Sequence, residues 1–222
     1  MNIDIIGNGI MCLSALIGFI YAASRFFRPK QALFKRMLAS ALGCLFIGRL
    51  YEIVQFIVVG ELPEVFQIGP IADIGCFMFL FSVNYGALDM LIDDRSAELK
   101  KYRWLAVLVT LGFDAAAVLI LLSPAGTGLR ILIAVEEMII GASAYYSFKH
   151  LIFPKAYSDI LSSLRLFHVL SLLLAVGMTV ENLLWCYGYD GVSGWIAPYI
   201  IVWIVMLAIA PAMEWGTKKW TA

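Results

Sequence analysis

Charged side chains are scarce in this chain. Asp, Glu, Lys and Arg make up 14% of its 222 residues, where soluble domains carry about a quarter. No basic stripe stands apart from the short segments between apolar runs, which argues against nucleic-acid binding. Histidine occurs only twice, at His150 and His168, and H-E-x-x-H is absent. That excludes the zinc-dependent membrane hydrolases, whose metal needs several such ligands. No lysine falls within the apolar runs delimited below, so a retinal protein with a Schiff-base lysine is not expected. The four cysteines (Cys12, Cys44, Cys76, Cys186) lie inside apolar stretches without metal-ligand or disulfide-framework spacing, and read as small packing residues. No cofactor motif is present, and none is expected.

Catalytic signatures are also thin. Gly191-Val192-Ser193-Gly194 matches the short G-x-S-G around the rhomboid-protease serine, but no histidine follows to act as its base. Glu136-Glu137 has no following histidine motif, so a glutamate-dependent membrane protease is weakly supported. An intramembrane hydrolase acting on lipid through two carboxylates as acid and base stays open without a distinctive signature.

What fills the chain instead is oil. Hydrophobic residues make up 62% of it, and the mean hydropathy is +0.89. A hydrocarbon core of ~30 Å takes ~20 apolar residues as a helix. Seven stretches qualify: 5–24, 37–59, 69–92, 104–123, 129–148, 166–187 and 195–214. The expected fold is an all-α integral membrane protein of seven transmembrane helices, with short connections and no extramembrane domain.

Basic residues set its direction. Arg25, Arg28, Lys30, Lys35 and Arg36 follow the first span, and Arg95, Lys100, Lys101 and Arg103 the third. Lys149, Lys155 and Arg165 fall between spans five and six, and Lys218 and Lys219 follow span seven. Fourteen of sixteen basic residues thus lie on one side, which the positive-inside rule makes cytoplasmic. The N-terminus is then outside, the C-terminus cytoplasmic, and the plasma membrane (the inner membrane, in a bacterium) the expected location. The first span carries an acid in its leading M-N-I-D and basic residues after it, so it reads as a retained helix rather than a cleaved signal peptide.

An internal repeat follows from span two, R-M-L-A-S-A-L-G-C-L-F-I-G-R-L-Y-E, and span six, R-L-F-H-V-L-S-L-L-L-A-V-G-M-T-V-E. Arg36, Gly48 and Glu52 match Arg165, Gly177 and Glu181 at a constant offset of 129. Pro70 and Pro198 open the span that follows in each half, and Ile17-Gly18…Ser24 matches Ile140-Gly141…Ser147 before a P-K pair. Residues 1–92 and 129–214 would be parallel three-helix repeats, joined by a connecting helix at 104–123. This 3+1+3 arrangement resembles the SWEET and PQ-loop transporters in topology only, because none of the seven prolines is followed by glutamine.

Ionisable groups inside spans are costly, and by default they mark a pathway or a partner. Glu52, Asp73, Glu136, Glu137 and Glu181 fall in the outer half of their spans and Asp114 mid-span, with Arg49 the one positive group among them. Ser40, Cys44 and Gly48 form a small-residue stripe that Glu52 continues, and Asp73, Phe77, Leu80 and Asn84 share a face. Glu136 lies about 100° from Glu137, aimed at a different helix. Tyr51, Trp185, Tyr187, Trp195 and Tyr199 ring the same half, as interfacial belts do. Carboxylates ringed by aromatics also suit a cationic ligand.

The expected site is therefore an outward-facing acidic pocket of Glu52, Glu181, Asp73, Asp114, Glu137, Glu136, Arg49, Tyr51 and Trp185. It belongs to a small carrier for a cationic or amine solute or for protons. A ligand-sensing or accessory subunit working through a membrane-protein partner is the alternative, and a homo-oligomer stays open. Asn84, Asp89 and His168 mark a weaker inner gate, with Asp89 and His168 expected to be hydrated at the interface. D-D-R-S-A-E-L-K-K-Y-R reads as a solvated turn.

Overall fold

The computed structural model describes residues 3–60, 67–154, 159–188 and 196–221, all of them helix or short turn. In chain order the helices are α1 (Ile3–Phe26), α2 (Leu33–Val58), α3 (Ile68–Phe81), α4 (Lys100–Leu121), α5 (Thr127–Ile152), α6 (Asp159–Cys186) and α7 (Ile196–Thr221). Helix α3 runs on through a π-helical segment, Ser82–Asp89, and one α-turn, Met90–Ile92. Seven helices are thus long and apolar enough to cross a membrane, as in a multi-pass membrane protein. Exposed Ile17, Ile57, Leu108, Leu122 and Ile204 show how apolar the outer faces are.

All seven expected spans are helices, but several extend further than expected where the basic residues lie. Helix α5 runs past Lys149 to Ile152, and Arg165 lies well inside α6. Hydropathy falls at a charged residue while the backbone ladder does not. In S-F-K-H-L-I-F the apolar residues resume after His150, and the helix continues with them.

Six helices close a ring, α1–α2–α3–α5–α6–α7 and back to α1, while α4 lies outside it against α5 and touches α6 more lightly. Small residues permit these approaches. A ladder of them joins α2 to α3. A methyl added to Gly75 would stand 3.2 Å from the Cys44 sulfur, and one added to Gly48 would stand 2.6 Å from the Ala72 methyl. The Glu52 carboxylate lies on Gly69 so closely that a methyl there would overlap it. As the position on α2 rises from 44 to 48 to 52, its partner on α3 falls from 75 to 72 to 69, as antiparallel neighbours require. The Ser40-Cys44-Gly48 stripe therefore does pack a helix, and its last step seats a carboxylate.

Helices α1 and α7 meet at Gly18, whose Cα faces the Met206 carbonyl. Glu214 on α7 ties the ends by the basic turns, accepting from the Tyr21 hydroxyl at 2.6 Å and from Arg25 at 3.0 Å. The main core threads the six-helix ring, with Phe26, Leu38, Phe77, Phe167, Met206 and Met213 fully enclosed. A smaller core of Ala117, Ile120, Ile133 and Cys186 joins α4 to α5 and α6. The cysteines are all free, with Cys12, Cys76 and Cys186 buried and Cys44 partly so, in keeping with packing roles.

Gly18→Ala would press a methyl into a backbone carbonyl that cannot rotate away, so α1 and α7 must separate. We expect a loss of about 1–3 kcal/mol, measured by thermal unfolding in detergent. Gly112→Ala, where nothing lies within 4 Å, should leave the melting temperature unchanged or slightly raised.

Candidate functional site

Two buried polar clusters occupy opposite ends of the ring. The first lies away from the basic turns. Arg49, within α2, donates from Nη1 to Glu52 Oε2 at 3.0 Å and from Nη2 to Asp73 Oδ2 at 2.8 Å. Glu181 Oε1 stands 3.7 Å from the same Nη2. All four residues are buried. One guanidinium therefore gathers carboxylates from α2, α3 and α6, each placed by its own helix. Arg49 and Glu52 sit one turn apart on α2, Gly69 leaves room for Glu52, and Asp73 begins the buried Asp73-Phe77-Leu80-Asn84 face of α3.

Glu136 and Glu137 on α5 stand beside this group, and both are completely enclosed. Asn182 spends its two amide hydrogens on them, at 2.9 Å to Glu136 Oε1 and 2.8 Å to Glu137 Oε1. Thr179 donates to Glu137 Oε2 at 2.7 Å. The expectation that Glu136 points at a different helix from Glu137 is thus corrected. Consecutive residues on α5 straddle α6, and the forked amide reaches both. Asn182 and Thr179 were missed in the sequence, although they are three residues apart in T-V-E-N and flank Glu181. Among the described residues, four buried atoms of this region have no hydrogen-bond partner: Arg49 Nε, Asp73 Oδ1, Glu136 Oε2 and Glu181 Oε2.

Other expected members lie elsewhere. Asp114 is half-buried on α4, outside the ring, and no hydrogen bond or ion pair joins it to the carboxylates. Trp185 packs on the smaller core between α4, α5 and α6. Tyr51 is half-buried with no polar contact to the cluster. Tyr187 donates to the Leu119 carbonyl at 3.0 Å, tying α4 to the end of α6. Trp195, Lys155 and Gly191-Val192-Ser193-Gly194 lie outside the described residues.

The second cluster sits at the basic end, and three expectations change there. Lys149 does not lie in a loop. It is 2% exposed, inside the last turns of α5, ion-paired to Asp89 and, at 3.1 Å, to Asp93. Lysine placement therefore does not exclude a lysine-bound chromophore, while the ammonium itself is committed to two aspartates. His168 is not hydrated: it is fully enclosed, neither ring nitrogen has a partner, and its ring centroid lies 4.8 Å from that of His150. His150 Nε2 is 3.0 Å from Asp89 Oδ1. The acidic turn after α3 is no free solvated loop, since Asp93 also takes Arg103 at 2.7 Å, and Arg103 reaches the Ser96 carbonyl. Next to it Asp94 accepts the Ser96 N–H at 2.9 Å, which holds that carboxyl below its usual range.

The π-helical segment aims this cluster. Asn84 donates to the Leu80 carbonyl at 3.1 Å and to Ser147 Oγ at 3.2 Å, and competes with the backbone for a helix acceptor. The wider i→i+5 winding brings Asn84 and Asp89 towards one side of the helix, where α5 meets them. A cleft of about 330 Å³ opens over Asp89, Asp93 and Lys149 at this end.

No protein-family model, curated protein or solved structure matches the chain.

Removing Arg49 would leave three carboxylates buried without a counter-charge. Arg49→Met should cost about 3–5 kcal/mol, read as a lower melting temperature or failed assembly in detergent. Adding Glu52→Gln and Asp73→Asn to Arg49→Met should recover a large part of that loss, because Glu181 alone of the three then remains a carboxylate.

Proposed function

We propose that this protein is a small membrane carrier, and that the buried carboxylates of α2, α3, α5 and α6 handle protons or a small cation. One observation carries the reading: three enclosed carboxylates face the Arg49 guanidinium, and two more, Glu136 and Glu137, stand beside them on Asn182 and Thr179. Ionised groups in a bilayer interior are tolerated only with a counter-charge. Protons or a cationic solute are the species that can supply what Arg49 does not.

The helix arrangement supports the same reading. Exchanging α1, α2 and α3 with α5, α6 and α7 turns the α1–α7 interface into the α5–α3 interface, and both are present. The matched G-x-x-x-E segments of α2 and α6 then become partners about a pseudo-twofold axis, with α4 as the connector. Carriers built from parallel repeats place their site between the halves and rock one against the other. In this reading the basic end is cytoplasmic and the N-terminus lies outside.

A second reading draws on the 2.8 and 3.0 Å pairs that hold Asp73 and Glu52 to Arg49. So tight a network suits a sensor or accessory subunit that binds and stabilises without moving its ligand.

Proteoliposomes loaded with a pH-reporting dye, challenged with a proton gradient and a panel of small amines, separate the two. The carrier reading expects flux that Glu52→Gln and Glu181→Gln each reduce at least ~10-fold, with both variants assembled. Wild-type flux in both variants rejects the site. No flux from the wild type, with amine-dependent thermal stabilisation intact, selects the sensor.

A further inference from the structure

The cleft at the basic end is unused by the carrier reading, and its inventory is unusual. Its two carboxylates are already balanced. Asp93 takes Arg103, Lys149 and the backbone N–H of Arg95, and Asp89 takes Lys149 and the His150 ring. The capacity left over is of the opposite kind. Arg95, exposed in the turn after α3, makes no side-chain hydrogen bond or ion pair among the described residues. Its backbone is held at φ 61° by the bond from its own N–H to Asp93, at 2.9 Å, so the guanidinium is presented from a fixed turn. Tyr85, Tyr145 and Tyr146 line the same cleft, and their hydroxyls make no hydrogen bond among the described residues. A spare guanidinium and three spare phenols are donors waiting for a multivalent anion.

The shape narrows the anion to one source. Helix α3 packs on α5 and α4 packs on α5, yet α3 and α4 barely touch although a short turn joins them. A seam floored by α5 therefore runs along the outside of the ring, and the cleft is its mouth. Its upper wall is aromatic: Phe81 stacks on Tyr85 at 5.4 Å, and Tyr85 lies 5.3 Å from Tyr146. Tyr85 reaches that mouth from the π-helical segment, an irregularity often found at functional sites. Basic pockets between spanning helices at this depth bind lipid headgroups.

We propose that this cleft holds the phosphate headgroup of an anionic phospholipid, with Arg95 and the three tyrosine hydroxyls as its donors and an acyl chain lying in the α3–α4 seam. The inference stands apart from transport, since binding is read without flux.

The full-length protein in phosphatidylcholine nanodiscs, titrated with phosphatidylglycerol, tests it by native mass spectrometry and thermal unfolding. Wild type should retain phosphatidylglycerol over phosphatidylcholine and melt at a higher temperature with it. Arg95→Gln should retain it about fivefold less, and Tyr145→Phe should also weaken it, both melting like wild type in phosphatidylcholine alone. Lys100→Gln, an exposed basic residue outside the cleft lining, should retain the lipid normally. Equal retention in Arg95→Gln and Tyr145→Phe overturns the proposal. So does an equal loss in Lys100→Gln, which would mean diffuse attraction to the basic end. If inorganic phosphate alone reproduces the stabilisation, the site takes a free anion and the lipid assignment fails.

Discussion

Arg49 is the point on which the rest of the bundle depends. A guanidinium cannot give up its charge in a protein, and an apolar interior provides no water to solvate it. It must therefore be surrounded by acceptors wherever α2 carries it. Glu52, Asp73 and Glu181 meet that demand from three helices, so α2, α3 and α6 are held in one register by a single side chain. Those carboxylates exceed what one cation can balance, and Glu136 and Glu137 add to the excess. The same constraint that fixes the helices thus creates the chemistry.

Close approach makes this possible. Glu52 can reach Arg49 from its own helix only because Gly69 presents no side chain where the carboxylate lies. The Cys44–Gly75 and Gly48–Ala72 steps bring α3 near enough for Asp73 to close the group. Small residues do here what a strong hydrophobic force does in water: they let van der Waals contact and short polar bonds hold helices whose outer faces have no preference between lipid and one another. At the other end the same principle takes another form. Lys149, Asp89, Asp93 and Arg103 cancel one another, and the turn after α3 becomes part of the bundle.

Much of this was legible beforehand, and what was not has identifiable reasons. Glu52, Asp73 and Glu181 announce themselves, because a carboxylate in an apolar run needs a partner or a pathway. Asn182 and Thr179 are quieter, since uncharged polar residues are tolerated in spans without comment. Hydropathy puts Lys149 and His150 beyond the end of span five, because it does not distinguish a charge that ends a helix from one paired within it. Asp93 reads as part of a solvated turn because its partners, Arg103 and Lys149, are ten and fifty-six residues away. Trp185 and Asp114 have plausible spacing and the wrong neighbours, for depth along a helix is readable while azimuth among seven helices is not.

Seven apolar helices, the end of the bundle where the basic residues gather, and the groups too polar to ignore are all readable along the chain. Those follow from local rules of length, hydropathy and charge. Packing alone makes three carboxylates converge on Arg49 and two on Asn182, buries Lys149 between aspartates, and leaves α4 outside the ring with a seam beside α3. Each depends on how helices rotate about their axes and which neighbours they choose. Packing between residues far apart in the chain settles that rotation.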